Sequence, residues 1–159
     1  MKAADPRQRG FTLIELLVTL TILVIMMGLG VPAMQSFTAN QKVRSASYEL
    51  MTSIVLARSE AIKRNASILL EPKAANDWTS GWTVKAGAAT LHEQTPMAGL
   101  AITPQSAPGT AMTLANLTFG ASGRPTAKAY FEITGTGKTI RCVAVDTTGI
   151  PTSKTGTCS

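Results

Sequence analysis

The chain has 159 residues, of which 45% are hydrophobic and 15% charged, with a formal net charge of +6 and a pI near 9.7. That balance excludes a disordered charged tail, which needs low hydrophobicity and high charge. The 13 Gly and 8 Pro follow no period, which excludes collagen-like and low-complexity chains. The length fits one domain, or one small domain with an appendage. The positive charge permits anionic partners, nucleic acid or lipid head groups among them, and names none.

Met1 to Gly10 is a basic stub with Lys2, Arg7 and Arg9 against Asp5. Phe11 to Val31 is an apolar run whose single charge is Glu15. As a helix it would span roughly 32 Å, the thickness of a bilayer core. Basic residues ahead of such a span predict a cytoplasmic N-terminus and a soluble part on the far side. A secretory signal peptide or plain signal anchor is one reading, with Val31-Pro32-Ala33 as a small-residue site. Against cleavage there, the run exceeds the 7–15 residues of a usual signal core. Glu15 would also cost about 2.5–3.5 kcal/mol within the apolar span, so it calls for a role and a partner.

Beyond Pro32 the pattern stays helical and turns amphipathic. Val43, Leu50, Ile54, Ala57 and Ala61 form one stripe, which Met51, Val55 and Ile62 would widen. Lys42, Arg44, Glu49, Ser59 and Lys63 fall off it, Glu60 and Arg64 make an i,i+4 pair, and Asn65 is a plausible end. One helix from about Thr12 to Arg64 is expected, the alternative being two helices broken at Pro32. Strands are expected at Ser67–Glu71, closed by Pro72, and at Gly81–Ala86 and Thr113–Phe119. Ala127–Ile133 and Thr139–Val145 should pair across the Gly-rich connection Thr134–Lys138. Between Ala86 and Thr113 no element is assigned. The expected class is α+β, a long N-terminal helix on a small, mainly antiparallel sheet.

Cys142 and Cys158 are the only cysteines, and with one His they are too few for structural zinc. In an oxidising compartment a disulfide is expected to tie the last strand to the tail, with two free thiols as the alternative. His92 has no identifiable nucleophile beside it. Gly135-Thr136-Gly137 lacks a dinucleotide fingerprint, and Ser122-Gly123-Arg124 is not a nucleophile elbow. The expectation is a non-enzyme with no metal and no cofactor.

Arg9-Gly10-Phe11-Thr12-Leu13-Ile14-Glu15-Leu16-Leu17-Val18 resembles the class III signal of type IV pilins and type II secretion pseudopilins. The resemblance implies a prepilin peptidase cut between Gly10 and Phe11, with methylation of the new Phe11 amine. It implies that Glu15 sets subunit registration by pairing with a neighbour's amine, since a buried charge is tolerable when paired. Pro32 matches the Pro ending the apolar run, and Gly28, Gly30 and Pro32 mark a weak helical stretch that could melt on assembly.

Phe119-Gly120-Ala121-Ser122-Gly123-Arg124-Pro125-Thr126 is similar to the F-x-x-x-G-R-x-T segment of the GspH/FimT family. Leu56-Ala57-Arg58-Ser59-Glu60-Ala61-Ile62-Lys63-Arg64 resembles that family's helical stretch, while Asp77 to Met112 resembles nothing specific. The resemblance implies the type IV pilin fold and this organisation: 1–10 cleaved leader, 11–31 transmembrane and filament-core helix, 32–65 amphipathic helix, 66–159 periplasmic β-rich head. It implies an inner-membrane, single-pass subunit that passes into a pilus or pseudopilus. Its implied partners are other minor and major pilins or pseudopilins, the prepilin peptidase, the inner-membrane assembly platform and membrane lipid. The expected function is a minor pilin acting in priming, assembly or at the tip, with a minor pseudopilin of the H type as the alternative. A DNA-binding minor pilin for natural transformation is a third reading, through Arg124, Lys138, Arg141 and Lys154. Five basic residues stand against two acidic ones from Arg124 onward. The family's G-R-x-R motif would fall on Gly149-Ile150-Pro151-Thr152, which has neither arginine.

Overall fold

The computed structural model describes residues 11–137 and 139–158, without the side chains of 29–33. The expected leader Met1–Gly10, with Gly10 of the expected cut, and Lys138 therefore lie outside the described residues. The chain divides into two compact units, residues 1–35 and 36–159.

Helix α1 covers Leu13–Arg64, 52 residues. It runs through Gly28, Gly30 and Pro32 without interruption, so the two-helix alternative does not describe the isolated chain. In the first unit the side chains from Leu13 to Met27 are exposed all round, as an apolar run without internal partners must be. Among the described residues no helix is long and apolar enough to cross a membrane. The stretch with described apolar side chains, Leu13 to Gly28, rises about 24 Å, short of the roughly 30 Å of a hydrocarbon core.

In the second unit one face of α1 is fully buried: Val43, Ala46, Leu50, Ile54, Ala57 and Ala61. Val55 and Ile62, expected to widen that stripe, are instead each 51% exposed. A step of 100° per residue carries both away from the Leu50–Ile54–Ala61 line. Ser47 and Ser53 take the flanking positions and are buried. α1 ends at Asn65, whose φ is +50. The Ala66 N–H donates to Ala61 O at 3.2 Å and the Asn65 N–H to Ile62 O at 3.3 Å, a Schellman closure with Asn in the usual Gly position.

Among the described residues nine strands follow in two sheets rather than one, and every pairing is antiparallel. The first holds β3 (Ala89–Glu93), β2 (Asp77–Ala86), β1 (Ile68–Ala74) and β6 (Leu117–Phe119), in that spatial order. The second runs β5 (Thr110–Ala111), β4 (Leu100–Ala107), β7 (Ala129–Gly135), β8 (Arg141–Val145) and β9 (Pro151–Thr155). Pro72 does not close β1. It pairs with Trp82 on one side, while β6 covers only Ile68–Leu70 on the other, so no ladder partner there needs the missing N–H. Of the expected strand Thr113–Phe119 only Leu117–Phe119 forms. Leu114 lies off the ladder, where its carbonyl accepts the buried Trp78 indole N–H at 2.8 Å. The segment without an expected element supplies β3, β4 and β5. The Ile102 N–H on β4 donates to Thr79 Oγ1 on β2 at 3.1 Å, a tie between the sheets.

The core lies between the α1 stripe and the inner faces of both sheets. Trp78, Trp82, Phe119, Phe131, Ile68, Leu70, Leu117 and Ile133 are all essentially inaccessible. Trp78 meets Phe131 edge-on at 4.8 Å between centroids. The Trp82 indole donates to Ser53 Oγ at 2.9 Å, and that hydroxyl donates to Glu49 O at 2.9 Å. A serine inside the apolar stripe is thus the acceptor that allows a tryptophan to be buried there.

Candidate functional site

Three places carry the residues that the sequence singles out. The first is the start of α1. Phe11 is exposed. Thr12 acts as N-cap, its Oγ1 accepting the Glu15 N–H at 3.3 Å. The Thr19 hydroxyl donates to Leu16 O at 2.8 Å and the Thr21 hydroxyl to Val18 O at 2.8 Å. Both threonines are therefore satisfied within the helix, as an apolar setting requires. Glu15 is different: no ion pair among the described residues engages its carboxylate.

The second place is built by the last turns of α1 and two loops. Gly120–Pro125 folds tightly, with the Gly123 N–H donating to Gly120 O at 2.8 Å and the Gly120 N–H to Arg124 O at 2.9 Å. Gly123 has φ +74, and a Cβ there would come within 2.6 Å of Ile62 Cδ1 and 3.1 Å of Arg58 Cγ. Gly149, in the β8–β9 turn, has φ +78, and a Cβ there would meet Gly123 O at 2.3 Å and Arg58 Cδ at 3.3 Å. The two glycines let both loops close onto the Arg58 stem. The Leu56–Arg64 and Phe119–Thr126 stretches, remote in sequence, are therefore packed together. Arg58 Nε is buried and has no hydrogen-bond partner among the described residues, an orphan donor that costs about 1–3 kcal/mol. The Asp146 carboxylate accepts the Thr148 hydroxyl and the Thr148 N–H, and these bonds hold its pKa below the usual carboxylate value. Glu60 is likewise held low, chiefly by its hydrogen bond from Arg64, with Lys63 adding to it.

The third place is the outer part of the second sheet. Cys142 on β8 and Cys158 in the tail form a disulfide with Cα atoms 5.1 Å apart. The Cys158 N–H also donates to Glu132 Oε2 at 3.4 Å. Arg141 donates through Nε and Nη2 to Ser153 Oγ at 3.2 and 3.0 Å, and its guanidinium lies 5.7 Å from the Tyr48 ring centroid. Ser153 Oγ lies 2.9 Å from Ser47 Oγ. Arg141 is thus committed to fastening β8 and β9 onto α1.

Of the four basic residues considered for DNA, the three that are described lie at different places on the second sheet and its loops. Arg141 pairs with Ile133 at one end of the β7–β8 ladder. Arg124 lies in the loop leading to Ala129, at the other end, and Lys154 is on the edge strand opposite Cys142. Lys138 falls outside the described residues. Among the described residues no cluster of His, Cys, Asp or Glu could hold a metal ion. His92 lies on the edge strand β3 opposite Val84. The sequence did not point to Ser47 or Ser53, although both stand beside the apolar stripe, which is a usable signal. It named Gly149 only as the place of the absent G-R-x-R motif, and gave no sign of its packing against Gly123.

Residues 46–149 match the family described as Type II transport protein GspH, and residues 5–31 match the Prokaryotic N-terminal methylation motif. No curated protein matches the chain by sequence. The fold is similar to the crystal structure of the type IV minor pilin FimU of Pseudomonas aeruginosa PAO1, at 25% identity and a TM-score of 0.62. That match covers 75% of this chain and 96% of the other. It is also similar to the minor pseudopilin EpsH from the Type 2 Secretion System of Vibrio cholerae, at 13% identity and a TM-score of 0.55. Here 74% of this chain and 97% of the other are covered, a likeness of fold. A family match over well over half its length, a methylation motif at its start and an α+β fold shared with minor pilins place this chain in the GspH/FimT family of pilin-like proteins.

Proposed function

We propose that the chain is a minor pilin of a type IV pilus, acting in priming, assembly or at the filament tip. The likeness to FimU carries this reading, because it extends over nearly the whole of that pilin at 25% identity. In this reading a prepilin peptidase removes Met1–Gly10 and methylates Phe11. The subunit waits in the inner membrane with its N-terminus cytoplasmic and its head periplasmic, and the assembly platform moves it into the filament among other pilins. That no ion pair among the described residues engages the Glu15 carboxylate supports the registration role, its partner being the Phe11 amine of a neighbour. The head serves as a structural subunit, not as a catalyst.

A deletion strain tests this by parallel assays of piliation, type II secretion and transformation. Piliation should be lost and secretion kept. Lost secretion with normal pili would make the chain an H-type pseudopilin, and lost transformation with normal pili would favour the DNA-binding reading. Glu15→Ala should leave leader cleavage intact and prevent incorporation, and wild-type piliation from that variant would refute the registration role.

A further inference from the structure

We propose that the head binds the phosphate-bearing head group of an anionic phospholipid at the end where the chain enters it, between α1 and the loop that precedes β4. The proposal rests on the reading of the chain as a membrane-anchored subunit and names a lipid contact of its head. The second compact unit begins at Ser36. Its first helical turns carry a groove of about 340 Å³ lined by Thr38, Gln41, Lys42, Ser45, Met97 and Ala98, mostly by apolar atoms. Leu100 of β4 stands opposite Gly135 of β7, so the β3–β4 and β7–β8 loops leave the second sheet at the same end. A Cβ at Gly135 would meet Val43 Cγ2 at 3.0 Å, and the Thr139 N–H donates to Asn40 Oδ1 at 3.1 Å. That end of the sheet is thereby held against the same turns of α1 that line the groove.

The charge of this end has one sign. Residues 36–48, 94–101 and 134–141 hold Lys42, Arg44, Lys138 and Arg141 and no Asp or Glu. Arg141 is taken up by Ser153. Lys138 lies outside the described residues, and no ion pair among the described residues engages Lys42 or Arg44. Met97 is half-buried against the head core and gives the groove a flexible apolar wall. Cations beside an apolar wall call for an anion that carries apolar surface with it. A nucleic acid would meet the cations and leave Met97 uncovered. A phospholipid brings phosphate and glycerol ester on one molecule. It is also the anion at hand while the subunit waits in the membrane. Lys42 and Arg44 follow Val31 by eleven and thirteen residues, about 16–20 Å of helix, and helical side chains lean back toward the N-terminus. The polar zone of a bilayer extends about 5–8 Å beyond its hydrocarbon, which brings its phosphates within about one Debye length, roughly 8 Å, of these cations.

The test uses the full-length chain in lipid nanodiscs made of phosphatidylcholine alone or with about one-third phosphatidylglycerol. The photoreactive residue p-benzoylphenylalanine replaces Ala98 in the groove or, as control, the exposed Thr110, which pairs with Ala107 at the opposite end of β4. Irradiation at position 98 should give a phospholipid adduct, read by mass spectrometry, at least fivefold higher with phosphatidylglycerol than without it. It should exceed the adduct at position 110 at least tenfold. Lys42→Gln combined with Arg44→Gln should reduce the phosphatidylglycerol adduct at least threefold, and about 0.5 M salt should do the same by screening. Native tryptophan fluorescence would show that the head remains folded. Equal adducts in the two lipids, an adduct unmoved by the paired substitution, or adducts with a second copy of the chain in place of lipid would overturn the lipid site. A chain that fails to enter the nanodiscs at all would overturn the membrane-anchored reading and the site with it. A chain that enters them without a phosphatidylglycerol-dependent adduct would sink the lipid site alone.

Discussion

Gly149→Ala should be far more damaging than an ordinary glycine substitution in a turn. At φ +78 an L-residue takes on a left-handed backbone, at about 1–2 kcal/mol. The new Cβ would also stand 2.3 Å from the Gly123 carbonyl oxygen. That is about 1 Å inside ordinary contact. The Cβ is fixed by its own backbone and the Gly123 oxygen is backbone, so no side-chain rotation relieves the clash. Gly123→Ala bears the same conformational cost at φ +74, but its nearest obstacle is the end of the half-exposed Ile62 side chain, which can swing aside. Gly87→Ala, at φ +59 with open space around it, bears the conformational cost alone. The expected losses are about 1 kcal/mol at Gly87, about 2 at Gly123 and about 3 or more at Gly149. At roughly 4 °C per kcal/mol for a head of this size, the melting temperature should fall by about 4, 8 and 12 °C. Tryptophan fluorescence of the full chain in detergent reports this directly, because Trp78 and Trp82 are both buried in the head core. Equal losses for Gly149→Ala and Gly87→Ala would refute the claim that Gly149 is required by the close approach of the two loops.

Ser53→Ala should cost about 1–3 kcal/mol in the same melt by leaving the Trp82 indole N–H buried without an acceptor. Ser59→Ala, on the exposed face, should stay within about 0.5 kcal/mol, and similar losses for the two would count against the indole argument. Cys158→Ser, or reduction, should remove about 3 kcal/mol by opening the loop to Cys142, and an unchanged melting temperature would show that the closure adds nothing. The Asp146 pKa is depressed by Thr148, so its stabilising effect is present above the unfolded value near 3.9 and fades as pH falls through the lower folded value. Asp146→Asn should therefore flatten the acid limb of stability below about pH 4. Identical limbs in melts taken from pH 7 to 2.5 would exclude that contribution.

The helix and the best strand pair were legible because their periodicity is imposed by burial on one face. Val43, Leu50, Ile54, Ala57 and Ala61 must all meet the sheets, and the alternation of β7 and β8 reflects one buried face each. Val55 and Ile62 were misplaced because an apolar residue next to a stripe has the same composition whether it turns in or out. β4 was not legible, because Pro104 interrupts it and all its residues but Leu100 and Ile102 are small, polar or Pro. It forms because Leu100, Ile102 and Pro104 face partners on β7 that lie about thirty residues away in sequence. β9 was missed for a similar reason: Pro151–Thr155 has no internal alternation and is specified by the ladder with β8 and by the disulfide beyond it. Of the candidate sites, the start of α1 is singled out by the resemblance of Arg9–Val18 to a class III signal together with the lone charge Glu15 in the apolar run. The contact of Arg58 and Ile62 with Gly123 and Gly149 joins segments about 60 to 90 residues apart, and no local pattern announces it.

The pairing of β1 with β6 bears on how freely this head can change in size. Leu70 stands opposite Leu117 and Ile68 opposite Phe119, so the chain departs from β1 and returns alongside it as β6 at the same place. What lies between is a closed excursion, and closure entropy grows by only about 0.6 kcal/mol for each doubling of its length. The turns at Gly87 and Gly109 are its open points, each with unoccupied space around it. Added residues at either turn would lengthen the excursion without shifting the register of β1 and β6. A subunit built this way can acquire a new surface at those tips while the ladder closing the excursion, and the helix beneath it, keep their geometry.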